Sequence, residues 1–82
     1  MTIAKSIKTL LESNLGNCHA FTLYGGYAII NGIKESFENG KSISEKRNNK
    51  GRVLKAVYKY SDNSTLIYQY NINTCHFKLK VI

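Results

Sequence analysis

Eighty-two residues, 43% of them apolar and 21% charged, are expected to form one small domain (1–82) around a single core, with no length left for a second. Twelve Lys and Arg against five Asp and Glu leave a formal charge of +7, a surplus that favours acidic partners. No apolar run is long enough to cross a bilayer, and Lys5 and Lys8 interrupt the N-terminus where an export signal needs an unbroken apolar stretch, so a cytoplasmic protein without membrane contact is expected.

Ile3, Ile7, Leu10 and Leu11 fall at i, i+4, i+7 and i+8, which stacks them on one stripe while Lys5, Lys8, Thr9 and Glu12 face away. This spacing predicts an amphipathic helix of about three and a half turns, capped by Thr2 and stopped by Gly16. The acid that would complete a capping box is absent, because position 5 is Lys5. After Gly16 the apolar period changes to two, and Gly, Asn and Ser punctuate short runs rich in Ile, Val, Tyr and Phe. The runs Cys18–Tyr24 and Tyr27–Asn31 flank Gly25-Gly26, which suits a tight hairpin or a bulge within one longer strand. Asn31-Gly32 and Asn39-Gly40 are stronger turn signals, since both residue types tolerate the positive φ of a type I′ turn. They bracket a weak strand, Ile33–Glu38. The segment from Glu45 to Gly51 has no apolar anchor and, with Arg52 at its edge, carries four cations, so a mobile solvated loop is expected there.

The C-terminal third has the clearest pattern. Leu54, Ala56, Tyr58 and Tyr60 share one face; so do Leu66, Tyr68, Tyr70 and Ile72, and then Cys75, Phe77, Leu79 and Val81. A two-residue loop at Asn73-Thr74 sets Ile72 opposite Cys75 and matches apolar to apolar down to Leu66 opposite Val81. A three-residue loop, Ser61-Asp62-Asn63, pairs Tyr58 with Leu66 and Ala56 with Tyr68, with Asn63 in the left-handed position. An N-terminal helix with one apolar stripe must cover something, and this meander offers a matching face. The expected architecture is α+β: one amphipathic helix packed on one face of a four- to six-stranded antiparallel sheet that ends in a three-strand meander.

The opposite face of the meander carries Val53, Lys55, Val57 and Lys59, then Thr65, Ile67, Gln69 and Asn71, then His76, Lys78, Lys80 and Ile82. Four lysines (Lys55, Lys59, Lys78, Lys80) and two amides (Gln69, Asn71) therefore project from one side of three strands. Arg47, Lys50 and Arg52 in the preceding loop would extend that surface. Ten of the twelve cations are lysines, which attract phosphates or carboxylates without the planar fork that reads base edges. Affinity without sequence specificity follows. The bland alternative is a solvated sheet face whose lysines guard against edge aggregation.

Other groups carry less. Tyr58, Tyr60, Tyr68 and Tyr70 lie on the apolar face, where a ring buries itself while its hydroxyl reaches water, and so they are read as core rather than as a base-stacking platform. Tyr24 and Tyr27, beside the glycines, are less constrained. Cys18-His19 and Cys75-His76 raise the question of zinc, but adjacent strand residues point to opposite faces and neither spacing is that of a finger, so no metal is expected. The cysteines are read as reduced, packed thiols rather than a disulfide. Among Glu12, Glu35, Glu38, Glu45 and Asp62 no pair suits paired-acid chemistry, and no catalytic residue or cofactor is assigned.

Asn, Ile and Lys together make 28 of the 82 residues, all from A/T-rich codons, which points to an AT-rich genome; with the short length and missing motifs, a phage or mobile-element gene is expected. In size and lack of motif the chain is similar to anti-CRISPR-type inhibitors. The leading expectation is a non-enzymatic binding protein that occupies an acidic or nucleic-acid-facing surface of a host nucleoprotein complex. Sequence-tolerant DNA or RNA binding by the same face is the alternative. A third reading is a small ribonuclease toxin using His19, His76, Arg47 and Arg52. Either a monomer or an edge-paired homodimer is compatible with the sequence.

Overall fold

The computed structural model describes residues 1–15 and 21–82; the expected helix stop at Gly16 and the pair Cys18-His19 lie outside the described residues. Helix α1 (Ile3–Leu15) buries Ala4, Ile7 and Leu11, with Ile3 and Leu10 half-buried on its flanks. Thr2 caps it, its Oγ1 accepting the Lys5 N–H at 3.2 Å. The two remaining free donors of the first turn are satisfied from elsewhere. Ile3 N–H donates to Asp62 Oδ2 at 2.8 Å and Ala4 N–H to Ser64 Oγ at 3.0 Å. An acid 59 positions from Ile3 thus serves the helix start, at the first helical N–H rather than at the N-cap N–H that a capping box would take.

Seven strands follow among the described residues: β1 (Phe21–Leu23), β2 (Tyr27–Ile30), β3 (Ile33–Ser36), β4 (Lys41–Arg47), β5 (Val53–Lys59), β6 (Thr65–Asn71) and β7 (His76–Val81). Every pair of consecutive strands except β3 with β4 is antiparallel. The α+β class and the C-terminal meander are as expected. The four-stranded sheet β4-β5-β6-β7 is the one that α1 covers, and β1-β2-β3 form a second, separate sheet.

The split has a local cause. Gly25-Gly26 is a hairpin turn rather than a bulge, with Leu23 opposite Ala28 and the Tyr24 N–H bonded to the Tyr27 carbonyl at 2.8 Å. Asn31 (φ 53°) and Gly32 (φ 78°) make the next turn in the positive-φ geometry that their residue types predict. Asn39-Gly40, expected to be a third tight turn, instead crosses from one sheet to the other. Gly40 N–H donates to the Gly25 carbonyl at 2.6 Å and Phe37 N–H to that of Gly26 at 3.0 Å. Glycine is required at position 40 for space: a Cβ there would stand 2.6 Å from Cε1 of Tyr60 and 3.1 Å from Cβ of Tyr58.

Register in the meander is as the loop arithmetic requires. Ala56 faces Tyr68, Tyr58 faces Leu66, and Asn63 sits at φ 66°. On β7, Leu66 faces Val81 and Tyr70 faces Phe77. The last turn is longer than expected, because Asn71 and His76 close the ladder and Cys75 adopts φ 56°. Ile72 and Cys75 are therefore exposed, and Cys75 is not the packed thiol that alternation suggests. One core joins the layers: Ala4, Ile7 and Leu11 of α1 and Phe21, Leu23, Ala28 and Ile30 of the small sheet meet Ala56, Tyr58, Tyr60, Leu66 and Tyr68. Phe21 packs edge-on against Tyr68, with ring centres 5.4 Å apart.

Candidate functional site

The face of β5, β6 and β7 turned away from this core is exposed where the sequence places it. Lys55, Lys59, Gln69, Asn71, His76, Lys78 and Lys80 are all exposed. Ladder pairing sets them in rows, since directly opposed residues share a face. One row runs Lys46, Lys55, Gln69, Lys78; the next runs Ser44, Val57, Ile67, Lys80; a third begins Lys41, Lys59, Thr65.

Two of these lysines were not legible as site residues. The expected solvated loop from Glu45 starts later than the composition suggests: Glu45, Lys46 and Arg47 belong to β4, and only residues 48–52 form the turn. β4 extends the lysine face by one strand, and Lys41 and Lys46 bring the count on it to six with Lys55, Lys59, Lys78 and Lys80. All seven β4 residues are exposed, so no apolar alternation marks the strand.

The arginines do not join them. Arg47 is paired with Glu45 across the core-side edge, and its Nη1 donates to the Gly51 carbonyl at 2.8 Å. The guanidinium of Arg52 lies 4.0 Å from the centre of the Tyr70 ring, and its Nη2 reaches the Phe21 carbonyl at 3.4 Å. Both serve the fold rather than a flexible extension of the lysine face. Lys50 is exposed in the turn and lines a small cavity beside Arg52, Val53 and Phe21, on the core side.

A bulge explains the difference. Lys46 pairs with Lys55 but Arg47 pairs with Val53, which leaves Leu54 as an extra residue. The residues before it are turned over: Val53, read from the sequence as lying on the lysine face, is buried with the core, and Leu54, read as core, looks out among the lysines. A second bulge leaves Ile43 unpaired between Ser42 and Ser44, 55% exposed.

The face carries no acid. Glu12 pairs with Lys8 at 2.7 Å, Glu45 with Arg47, and Asp62 holds the start of α1. Glu38 accepts a hydrogen bond from Ser61 at 3.0 Å, and Glu35 stands on β3 opposite Ala28 in the other sheet. Lys41 opposite Lys59 and Lys46 opposite Lys55 are therefore like-charge pairs with no counter-charge between them, an arrangement that costs the free fold stability.

The tyrosines belong to the other side. Tyr58, Tyr60 and Tyr68 are buried at 4%, 3% and 1% exposure, and the Tyr60 hydroxyl does not reach water as the sequence reading expects. Burial raises all three above the usual phenol range; Tyr68 is pushed up to about 12, with the neighbouring Arg52 opposing the shift. Tyr24 and Tyr27 stack on one another at 4.6 Å, with the Lys34 ammonium 4.6 Å from the Tyr27 ring centre.

Among the described residues no three His, Cys, Asp or Glu side chains come together to hold a metal, and no helix is long and apolar enough to cross a membrane. No protein-family model, no curated protein and no solved structure matches this chain.

Proposed function

We propose that the protein is a small non-enzymatic inhibitor or modulator that docks the lysine-bearing face of its four-stranded sheet on an acidic surface of a protein or nucleoprotein complex and blocks that surface sterically. The observation that carries the reading is the two pairs of directly opposed lysines, Lys41 with Lys59 and Lys46 with Lys55, on a face with no acidic side chain. An ordinary solvated sheet face intersperses both signs of charge, because opposed pairs of unlike sign stabilise it. An acidic partner relieves the repulsion when it binds.

A protein surface fits better than a nucleic acid. The middle of the face is apolar, with half-buried Val57 and Ile67 adjoining and lysines around them, which is the anatomy of an interface with a dry centre and a polar rim. No tyrosine or phenylalanine stands in its three rows for an unpaired base to stack on, and no arginine is there to read a base edge. Small size, charge surplus and want of catalytic motifs favour a host nucleic-acid-handling complex as the partner class, in the manner of anti-CRISPR-type inhibitors and from a phage or mobile element.

The test is affinity capture from the host with and without nuclease, comparing the native chain with Lys55→Glu/Lys78→Glu. A stoichiometric protein complex that survives nuclease and disappears with the double charge reversal is expected. Capture that nuclease abolishes transfers the reading to direct DNA or RNA binding, whose affinity falls steeply with salt. Capture that the charge reversal leaves intact removes this face from the account.

A further inference from the structure

At one end of the lysine face lies a shallow groove of about 770 Å³. Its size is within the range of ligand sites, and its lining combines two chemistries. Lys46 and Lys55 stand together on one side, and Lys78 is two strands further on, past Gln69. At the usual strand spacing Lys55 and Lys78 are about 10 Å apart. Among them are two aliphatic side chains that the regular pattern would have hidden. The β5 bulge turns Leu54 outward, and the β6–β7 turn leaves Ile72 at 49% exposure.

We infer that this groove receives an extended acidic peptide segment of the partner, with one aliphatic or aromatic side chain seated between Leu54 and Ile72 and flanking carboxylates on Lys46, Lys55 and Lys78. This deepens the docking reading and rests on it. Charge complementarity sets the sign of the occupant, since no carboxylate lines the groove. The apolar pair sets its second requirement: a bare polyanion leaves both side chains in water, whereas an anchor residue removes them from it. A nucleotide fits less well. The rings that line the groove, Tyr70 and Phe77, are already stacked on each other at 4.7 Å, and Arg52 lies 4.0 Å over Tyr70. Those contacts occupy the faces on which a base would stack.

The probes are a fluorescein-labelled oligoglutamate with a single central leucine, the same peptide with serine in its place, and an oligothymidylate competitor, followed by anisotropy at low salt. The leucine peptide is expected to bind about tenfold more tightly than the serine peptide. Leu54→Gln/Ile72→Ser should erase that ratio while leaving the serine peptide unaffected, and Lys55→Glu should weaken both. Ile72→Ser alone, at an exposed turn position, serves if the double variant loses its far-UV circular dichroism. Equal binding of the two peptides, a ratio that survives the apolar substitutions, or displacement by oligothymidylate at lower concentration than by unlabelled peptide overturns the inference. If both peptides bind equally and Lys55→Glu abolishes them, the docking reading stands and the groove falls. If neither binds at low salt, both fall.

Discussion

Leu66 and Ile67 are neighbours on β6 with side chains of the same volume and opposite fates. Leu66 is fully buried between Tyr58 and Val81, under the helix; Ile67 is only half-buried, between Val57 and Lys80 on the lysine face. On the core side every position across β5, β6 and β7 is apolar or aromatic, which is what a small domain needs to hold together. On the other side lysines are interspersed with apolar and uncharged polar residues and no acid, and the like-charge pairs there oppose folding. The two faces are shaped by different demands, one by stability and one by contact with something else.

The largest effects should separate the faces most sharply. Leu66→Ala removes a fully buried side chain and is expected to cost about 2–5 kcal/mol by urea denaturation. Ile67→Thr should cost less than about 1 kcal/mol. Comparable losses at the two positions would mean that the lysine face is not open in solution, and the docking surface would go with it.

A smaller loss is expected where the core side meets the helix. Ser64 is buried, accepts the Ala4 N–H and donates to Asp62, so Ser64→Ala should cost about 1–2 kcal/mol through the unsatisfied first turn. Asp62 is exposed at its tip, yet hydrogen bonds from the Ser64 side chain and from the Ile3 and Ser64 N–H groups hold its carboxyl below the usual range. A depressed carboxyl stabilises the fold above its unfolded value, near 3.9, and loses that contribution as pH falls through the folded value. Acid titration of thermal stability should show this loss in the native chain and not in Asp62→Asn. An unchanged acid limb would mean that the Asp62 carboxylate adds nothing to a helix start held by Thr2 and Ser64.

What was legible follows the same division. The meander register could be read because the three-residue loop and a turn centred on Asn73-Thr74, though longer than expected, leave one alignment that keeps Tyr58, Leu66, Tyr68 and Leu79 on one side, and Asn63 marks the left-handed residue. β4 could not be read, because an edge strand exposed at every position carries no apolar period, and Lys41 and Lys46 were hidden with it. The Leu54 bulge was silent for another reason: one extra residue reverses the faces before it without requiring Gly or Pro. Asp62 and Ser64 as caps of α1 were beyond local patterning altogether, since they reach the helix only after the chain has closed on itself.

The smallest effect is the most discriminating, because its sign differs between the two demands. Lys41 faces Lys59 on an edge strand, with water on its other side. Lys41→Glu converts a repulsive cross-strand pair into an attractive one and should raise stability by about 0.2–1 kcal/mol at low salt, with the gain shrinking as salt screens it. The same substitution places a negative charge on the docking surface and should weaken capture of the acidic partner. A face kept only for solubility would show the stability gain without a binding loss. Greater stability accompanied by weaker capture would mark Lys41 as a residue retained for contact at the expense of the fold.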